Sequence, residues 1–135
     1  LDGGDGEDTL SYESDATGVT VDLGAGTALG GDAAGDSISN FENVRGGAGA
    51  DTLTGDAGDN VIEGGPGGDT LDGGAGNDQL FGETGFDTIG GGDDHDLIFG
   101  DGWRVTDDGL QPTSTVFPSS LGTAAESCAP TANCV

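Results

Sequence analysis

A nine-residue period constrains this chain more than any other feature of its sequence. Residues 46–99 divide into six consecutive blocks, GGAGADTLT, GDAGDNVIE, GGPGGDTLD, GGAGNDQLF, GETGFDTIG and GGDDHDLIF, and residues 3–11 form one more, GGDGEDTLS. The shared pattern is G-G-x-G-x-D-x-(Leu/Ile)-x. An aliphatic residue follows the position-six acid or amide by two positions in every block, which biased composition alone does not produce. The chain is therefore a repeat array, whose units bury their apolar residues against their neighbours.

The first six residues of each block have the chemistry of a turn, and the last three that of a short strand. Glycine permits positive φ and close approach between backbones, while the middle residue of the strand points inward and its two neighbours outward. Strand, turn, strand and turn close one coil of 18 residues, so alternate blocks stack about 4.8 Å apart. We therefore predict an all-β fold, a right-handed parallel β-roll. Its predicted core is position eight: Leu10, Leu53, Ile62, Leu71, Leu80, Ile89 and Ile98.

The same stacking brings acidic side chains close together. Two carboxylates at this spacing repel each other by roughly 3 kcal/mol at an effective dielectric constant of 20. The whole chain carries a formal net charge of -24 with only two Lys or Arg residues, so nucleic acid and anionic membranes are repelled and cations are the expected partners. No apolar stretch is long enough to predict membrane insertion.

These blocks resemble the RTX (repeats-in-toxin) family of hemolysin-type calcium-binding nonapeptides, over residues 3–11 and 46–99. The resemblance implies several Ca²⁺ ions between stacked turns, held by the carbonyls of positions one and three of one turn, those of two and four of its neighbour, and both position-six side chains. Calcium takes about six to eight oxygen ligands. Carried over to this chain, the predicted metal ligands are Asp8, Asp51, Asn60, Asp69, Asp78, Asp87, Asp96, Gly46, Gly47, Ala48, Gly49, Gly64, Gly65, Pro66, Gly67, Gly73, Gly74, Ala75, Gly76, Gly82 and Gly85.

The predicted sites differ in regularity. Asn60 with Asp78 keeps the spacing of a pair but loses one charge, so we expect a weaker site there. Asp56 and Glu83 replace the second Gly of their blocks and Asp94 the third, and such residues fit only if φ is negative or the side chain is Asn- or Asp-like. The most regular pairs are Asp51 with Asp69, Asp69 with Asp87, and Asp78 with Asp96.

We expect four segments along the chain. Residues 1–11 form an N-terminal repeat that opens inside a block, as in a fragment, a cleaved product or an uncapped subunit. Residues 12–45 form an irregular β insert that continues the roll, the alternative being a surface excursion. Residues 46–102 form the regular roll, and residues 103–135 a C-terminal cap or a linker. Cys128 and Cys134 suit a small disulfide loop or two free thiols. The predicted core of the insert is Val19, Val21, Leu23, Ile38, Phe41 and Val44.

The sequence contains no catalytic motif of the H-E-x-x-H or G-x-S-x-G type, so we do not expect an enzyme. The resemblance implies a folding switch in a secreted protein, extracellular or at the cell surface, because millimolar external Ca²⁺ falls in the range that extracellular modules use and supplies folding free energy. Two alternatives remain: a subunit of a self-assembling fibre or surface layer, and an adhesin or ligand-binding module. A homo-oligomer or neighbouring domains of a longer chain are the further possible partners.

Overall fold

The computed structural model describes residues 1–100 and, beyond them, only the backbone of three short strands. The predicted cap or linker over residues 103–135 and the pairing of Cys128 with Cys134 otherwise lie outside the described residues. No helix in the described part of the chain is long and apolar enough to cross a bilayer. The strands are β1 Thr9–Ser11, β2 Thr20–Asp22, β3 Thr27–Leu29, β4 Asn43–Arg45, β5 Thr52–Thr54, β6 Val61–Gly67, β7 Thr70–Gly74, β8 Gln79–Gly85, β9 Thr88–Gly92, β10 Leu97–Gly100, β11 Arg104–Val105, β12 Thr115–Pro118 and β13 Asn133–Cys134.

Successive regular strands alternate between two sheets. One sheet has the order β1-β4-β6-β8-β10-β12-β13 and the other β11-β9-β7-β5-β2-β3. In the regular coils each strand pairs with the strand 18 residues later, so that Thr52 lies opposite Thr70 and Thr70 opposite Thr88. These pairs are parallel, and the connections between them are glycine-rich turns. The predicted parallel β-roll is therefore confirmed.

The core consists of two facing ladders of aliphatic side chains, one from each sheet. All seven predicted position-eight residues are buried, with at most 4% of their surface exposed. Each contributes about 2 kcal/mol of hydrophobic stabilisation when it is fully buried. The first ladder consists of Leu10, Val44, Ile62, Leu80 and Ile98, and the second of Val21, Leu53, Leu71 and Ile89.

The segment between the N-terminal repeat and the regular blocks contributes strands to both sheets. β2 pairs with β5 and β4 with β6, both in parallel. Val19, Val21, Ile38 and Val44 are buried, whereas Leu23 and Phe41 are only partly buried. β3 then runs back antiparallel to β2 and ends that sheet, a hairpin that the nine-residue period does not predict.

Three further residues of this segment enter the core without having been predicted there: Tyr12, Ala28 and Ala33. Tyr12 buries its ring and donates its hydroxyl to Asp36 at 2.8 Å. Burial, with the nearby Asp36 carboxylate, raises the pKa of Tyr12. The segment therefore has a more varied core than the regular coils, with side chains that range from alanine to tyrosine.

Candidate metal-binding turns

The turns that precede the strands form two rows along the roll. The first turn row consists of residues 46–51, 64–69 and 82–87, before β5, β7 and β9. The second turn row consists of residues 3–8, 55–60, 73–78 and 91–96, before β1, β6, β8 and β10. Within each row of regular turns, equivalent residues are 18 positions apart, because one coil comprises two blocks.

Position-six side chains in neighbouring turns of a row are linked through the backbone. The N–H of Asp51 donates to Asp69 Oδ1 at 2.8 Å, and the N–H of Asn60 donates to Asp78 Oδ1 at 2.8 Å. Asp69 and Asp78 donate in the same way to Asp87 and Asp96, both at 3.0 Å. All six side chains are at most 3% exposed. The fold thus brings together each of the pairs predicted from the sequence.

The second carboxylate oxygen of several of these residues is buried and has no hydrogen-bond partner: Oδ2 of Asp8, Asp69 and Asp78. Burying a carboxylate oxygen without a partner is unfavourable. Burial therefore raises the pKa of Asp69 to about 6, with the charges of Asp51, Asp87 and Glu83 acting in the same direction. Burial also raises the pKa of Asp78 to about 7, and the charge of Asp96 adds to it.

Glycine at positions one, two and four keeps a space open between neighbouring turns. A Cβ on Gly73 would collide with Asp78 Oδ2 and with the carbonyl oxygen of Gly91. A Cβ on Gly65 would collide with the carbonyl oxygen of Gly47. The same holds at position four, where Gly67, Gly76 and Gly85 face the carbonyl oxygens of Gly49, Gly58 and Gly67. Carbonyl and carboxylate oxygens therefore line the space that side chains would otherwise fill.

Position three differs between the turns. Ala48 and Ala75 donate their N–H groups to the carbonyl oxygens of Asp15 and Asp56 in the preceding coil, at 2.7 and 3.1 Å. Pro66 occupies the same position and has no N–H to donate. A carbonyl oxygen that accepts one hydrogen bond keeps a second lone pair, so these contacts leave acceptor capacity for a cation.

Two turns satisfy their position-six side chain internally, and we call them closed turns: residues 46–51 and 55–60. Gly47 N–H donates to Asp51 Oδ2 at 2.7 Å and Asp56 N–H to Asn60 Oδ1 at 2.8 Å, and neither donor residue has a positive φ. In residues 3–8, 64–69 and 73–78, which we call open turns, position two is a glycine with φ between 97° and 101°. The unpartnered Oδ2 atoms belong to these open turns.

Two of the three non-glycine replacements adopt the left-handed backbone of the glycines they replace. Glu83 has φ 63° and Asp94 has φ 76°, whereas Asp56 has no positive φ. The expectation that a residue such as Glu would need a negative φ is therefore wrong at Glu83. Glu83 lies opposite Gly65 in the ladder between β6 and β8, so the neighbouring turn imposes the conformation despite its cost for an L-residue.

Asp15 is a buried acid that the repeat pattern does not predict. It is 4% exposed, and its carboxylate accepts hydrogen bonds from the N–H of Thr17 at 2.7 Å, from the Thr17 hydroxyl, and from the N–H of Asp32. These bonds, that from Asp32 foremost, lower the pKa of Asp15. Its oxygens are already satisfied by the protein, so Asp15 has the character of a structural turn residue.

Glu42 is a second residue that sequence reasoning missed. It occupies position six of an irregular block, SISNFENVR, that directly precedes the regular array. The sequence did contain an indication of this role: an acid two positions before Val44, as at positions six and eight of a repeat. The block was missed because it lacks the glycines that begin a regular repeat.

The donor set of these turns fits a hard cation. No three His, Cys, Asp or Glu side chains within the described residues converge on one point, so the carbonyl oxygens would supply most of the ligands. Oxygen-only sites with pairs of carboxylates and several carbonyls suit Ca²⁺, whereas Zn²⁺ prefers His and thiolate ligands.

Comparison with protein families identifies the repeats. Residues 40–71 and 72–102 match the family described as RTX calcium-binding nonapeptide repeat (4 copies). The regular coils belong to the RTX calcium-binding repeat family. The two RTX matches together cover a little under half of the 135 residues and include every turn of both rows except residues 3–8. Comparison with curated proteins finds no match for the chain.

Membership of this family supports Ca²⁺ as the ion that suits these turns. RTX β-rolls are typically structural rather than catalytic, and RTX repeats are typical of secreted proteins.

Proposed function

We propose that this chain is an extracellular RTX module that folds on binding Ca²⁺, and that it serves as a structural part of a secreted protein. The observation that carries the proposal is that Asp69 and Asp78, one in each turn row, each bury an Oδ2 atom that has no hydrogen-bond partner. Their raised pKa values mean that the ionised form is disfavoured in the folded chain without a cation. A divalent ion between the turns reverses the sign of that contribution.

The proposed ligands are the position-six side chains of neighbouring turns and the carbonyls that line the space between them. In the first turn row these side chains are Asp51, Asp69 and Asp87. In the second turn row they are Asn60, Asp78 and Asp96, and the Asn60 amide makes its site the weaker one. Ca²⁺ would supply positive charge and coordinate oxygens that the protein leaves without donors. Because the unfolded chain cannot hold these oxygens together, binding free energy becomes folding free energy.

Extracellular conditions suit such a module. Calcium modules that work outside the cell have dissociation constants of roughly 10⁻⁴–10⁻³ M, so they are occupied at millimolar Ca²⁺ and empty at low cytosolic levels. The dense negative charge would keep the metal-free chain extended before export.

Calcium titration of the full chain tests the proposal by circular dichroism. We expect the β-sheet signal to rise with Ca²⁺ up to the millimolar range, and equimolar Mg²⁺ to produce far less, since Mg²⁺ demands a tighter octahedral geometry. A chain that is already fully β-structured in excess chelator, with no gain on adding Ca²⁺, would contradict the proposal.

A second candidate function is end-to-end assembly into a fibre or surface layer. The observation in its favour is that β1 pairs on one side only among the described strands, which leaves one sheet with an available edge. Unpaired edges can take up another strand. Electron microscopy in Ca²⁺ would separate the two functions, because short monodisperse particles reject assembly and leave the folding module intact.

A further inference from the structure

The outer face of the sheet that contains β1, which we call the β1 sheet, has an open groove. Its volume is about 600 Å³, within the roughly 300–1,000 Å³ of small-molecule sites. Outward side chains of three neighbouring strands line it: Thr9 lies opposite Asn43, and Ser11 opposite Arg45, which in turn lies opposite Glu63. β1, β4 and β6 therefore present polar groups to one space.

Two carboxylates fix Arg45 in this groove. Its Nη1 donates to Glu13 Oε2 at 3.1 Å, and its Nε donates to Glu63 Oε2. A guanidinium has five N–H donors, so three remain, and the Arg45 side chain is 44% exposed. Arg45 is thus held in place and keeps donors for a ligand.

Other polar side chains of the groove are also held by the protein and retain hydrogen-bonding capacity. Asn43 Oδ1 accepts the N–H of Val61 at 2.8 Å, which leaves the amide nitrogen of Asn43 to donate. Ser11 Oγ accepts the N–H of Glu13 at 3.4 Å, which leaves its hydroxyl to donate. Groups that are ordered before binding lose less entropy when a ligand arrives.

The charges in the groove favour a neutral ligand. Two carboxylates and one guanidinium give it a net negative charge, and the whole chain carries -24, so anions are repelled. A cationic ligand would have to displace Arg45 from Glu13 and Glu63. Hydroxyl groups both donate and accept, so a neutral polyhydroxyl ligand matches the donors and the acceptors of the groove together.

Apolar side chains border these polar groups. Val61 lines the groove, and the partly buried Phe81 lies opposite Glu63 on the next strand. Phe81 stacks on Phe99 with ring centroids 4.8 Å apart, which restricts its orientation. Sugar rings carry apolar C–H faces beside their hydroxyl groups, so this mixture of surfaces suits a carbohydrate.

The groove extends on both sides of Arg45. A second cavity of about 250 Å³ shares Glu13, Arg45 and Glu63 and continues to Pro66 and Glu83. Arg45 therefore lies where the two cavities meet. A groove of this length favours a chain of sugar rings over a single ring.

We propose that this groove binds a neutral oligosaccharide, with Arg45 as its central hydrogen-bond donor. The site lies on the outer face of the β1 sheet, whereas the proposed calcium ligands line the spaces between stacked turns. It rests on the proposed function only in that calcium would fold the sheet that carries the groove.

The test screens the full chain, folded in millimolar CaCl₂, against an array of linear tri- to hexasaccharides of glucose, mannose, xylose and N-acetylglucosamine, with sulfated oligosaccharides and oligolysine alongside. Isothermal titration then measures the affinity for the neutral oligosaccharide that binds. We expect Arg45→Gln to weaken this affinity at least about tenfold, because hydrogen bonds from a charged donor are the stronger ones. Thr9→Val, which removes one hydroxyl from the groove, should weaken it about fivefold.

Thr70→Val is the matched control, because Thr70 is an exposed position-seven residue of the opposite sheet. It should keep the wild-type affinity to within about twofold. The proposal is overturned if no neutral oligosaccharide binds, if only the sulfated oligosaccharides or oligolysine bind, or if Arg45→Gln and Thr9→Val both bind like the wild type. If Arg45→Gln does not fold, Thr9→Val decides. Circular dichroism measures folding on Ca²⁺ separately, so the groove can fail while the proposed function stands, and the reverse outcome is equally distinguishable.

Discussion

The closed turns and the open turns both place an acid or amide at position six of the roll, yet only the open turns leave a position-six oxygen without a hydrogen-bond partner. In closed turn 46–51 both oxygens of Asp51 accept backbone N–H groups, from Val19 and from Gly47. In open turn 73–78 one oxygen of Asp78 accepts from Asn60 and the other is buried without a partner. A closed turn is therefore complete within the protein, whereas an open turn lacks a positive partner.

The difference follows from the backbone at position two. Where φ is positive, as at Gly65 and Gly74, the position-six oxygen receives no N–H from its own turn. Where φ is not positive, as at Gly47 and Asp56, the N–H of that residue closes the turn. The closed turns lie at the start of the regular array, next to the irregular segment and its varied core. We infer that calcium contributes least to the stability of these two turns.

The largest expected change in stability comes from replacing a position-six aspartate by asparagine, and it should differ between open and closed turns. Without calcium at pH 8, Asp78→Asn should stabilise the chain by roughly 2–3 kcal/mol, because it removes a buried charge whose pKa is raised to about 7. In saturating calcium the same variant should be less stable than the wild type, since its site loses a carboxylate. The folded fraction from circular dichroism in chelator measures the first effect, because the metal-free chain is not fully folded, and urea unfolding in Ca²⁺ measures the second.

Asp51→Asn is the matched substitution in a closed turn. Both Asp51 oxygens face N–H donors, so the amide nitrogen of Asn would face one of them, at a cost of about 1–3 kcal/mol. The variant should be destabilised both with and without calcium. If Asp51→Asn and Asp78→Asn both stabilise the chain in chelator, or both destabilise it, closed and open turns do not differ in this way.

A smaller effect is expected from pH in the absence of metal. The pKa values of Asp69 and Asp78 are raised to about 6 and about 7, so the folded chain holds protons that the unfolded chain has released. The free energy of unfolding should therefore increase as the pH falls from 8 through 7 and 6 towards 5, by roughly 1–2 kcal/mol. The folded fraction of the metal-free chain, read by circular dichroism in chelator at these four pH values, measures the trend.

Calcium should invert that dependence, because protons compete with the ion for the same carboxylates. In Ca²⁺ the free energy of unfolding should fall as the pH falls through 7 and 6. Asp78→Asn should flatten the metal-free slope, since it removes one of the two groups that produce it. A metal-free folded fraction that declines between pH 8 and pH 5 would contradict the role of the open-turn carboxylates in destabilising the chain without calcium.

The smallest expected effect concerns position two itself. Glu83→Gly should stabilise the chain by up to about 1 kcal/mol, because an L-residue in the left-handed region costs about 1–2 kcal/mol and the entropy cost of glycine offsets part of the gain. It also removes a charge that raises the pKa of Asp69. Thermal unfolding in Ca²⁺ measures the shift.

Asp56→Gly should have the opposite effect and destabilise the chain. Asp56 has no positive φ, and its Oδ1 accepts the N–H of Gly58 at 2.8 Å and the side-chain amide of Asn60 at 3.2 Å. Glycine loses both bonds and adds entropy to the unfolded chain, so we expect a loss of about 1 kcal/mol. Stabilisation by both substitutions would show that backbone strain at position two does not distinguish the turns.

The nine-residue period was sufficient to predict most of the regular coils. An inward aliphatic every nine residues determines the two core ladders, and the 18-residue coil determines which position-six residues meet, such as Asp69 with Asp51 and with Asp87. Both depend only on strand geometry, in which alternate side chains face opposite ways. The irregular segment was harder to predict, because its strands join the roll without the glycines that mark a turn.

By itself, then, the sequence determined the parallel roll, its aliphatic core and the stacking of acids in two rows, because strict periodicity leaves few other ways to bury one aliphatic side chain per block. Only the tertiary structure decided which acids remain without partners, and that Glu42 in the irregular segment accepts the N–H of Asp8. The reason is that a carboxylate in this fold is satisfied by N–H groups from a neighbouring coil and from position two of its own turn. Their directions are set by packing between coils, which no single block encodes.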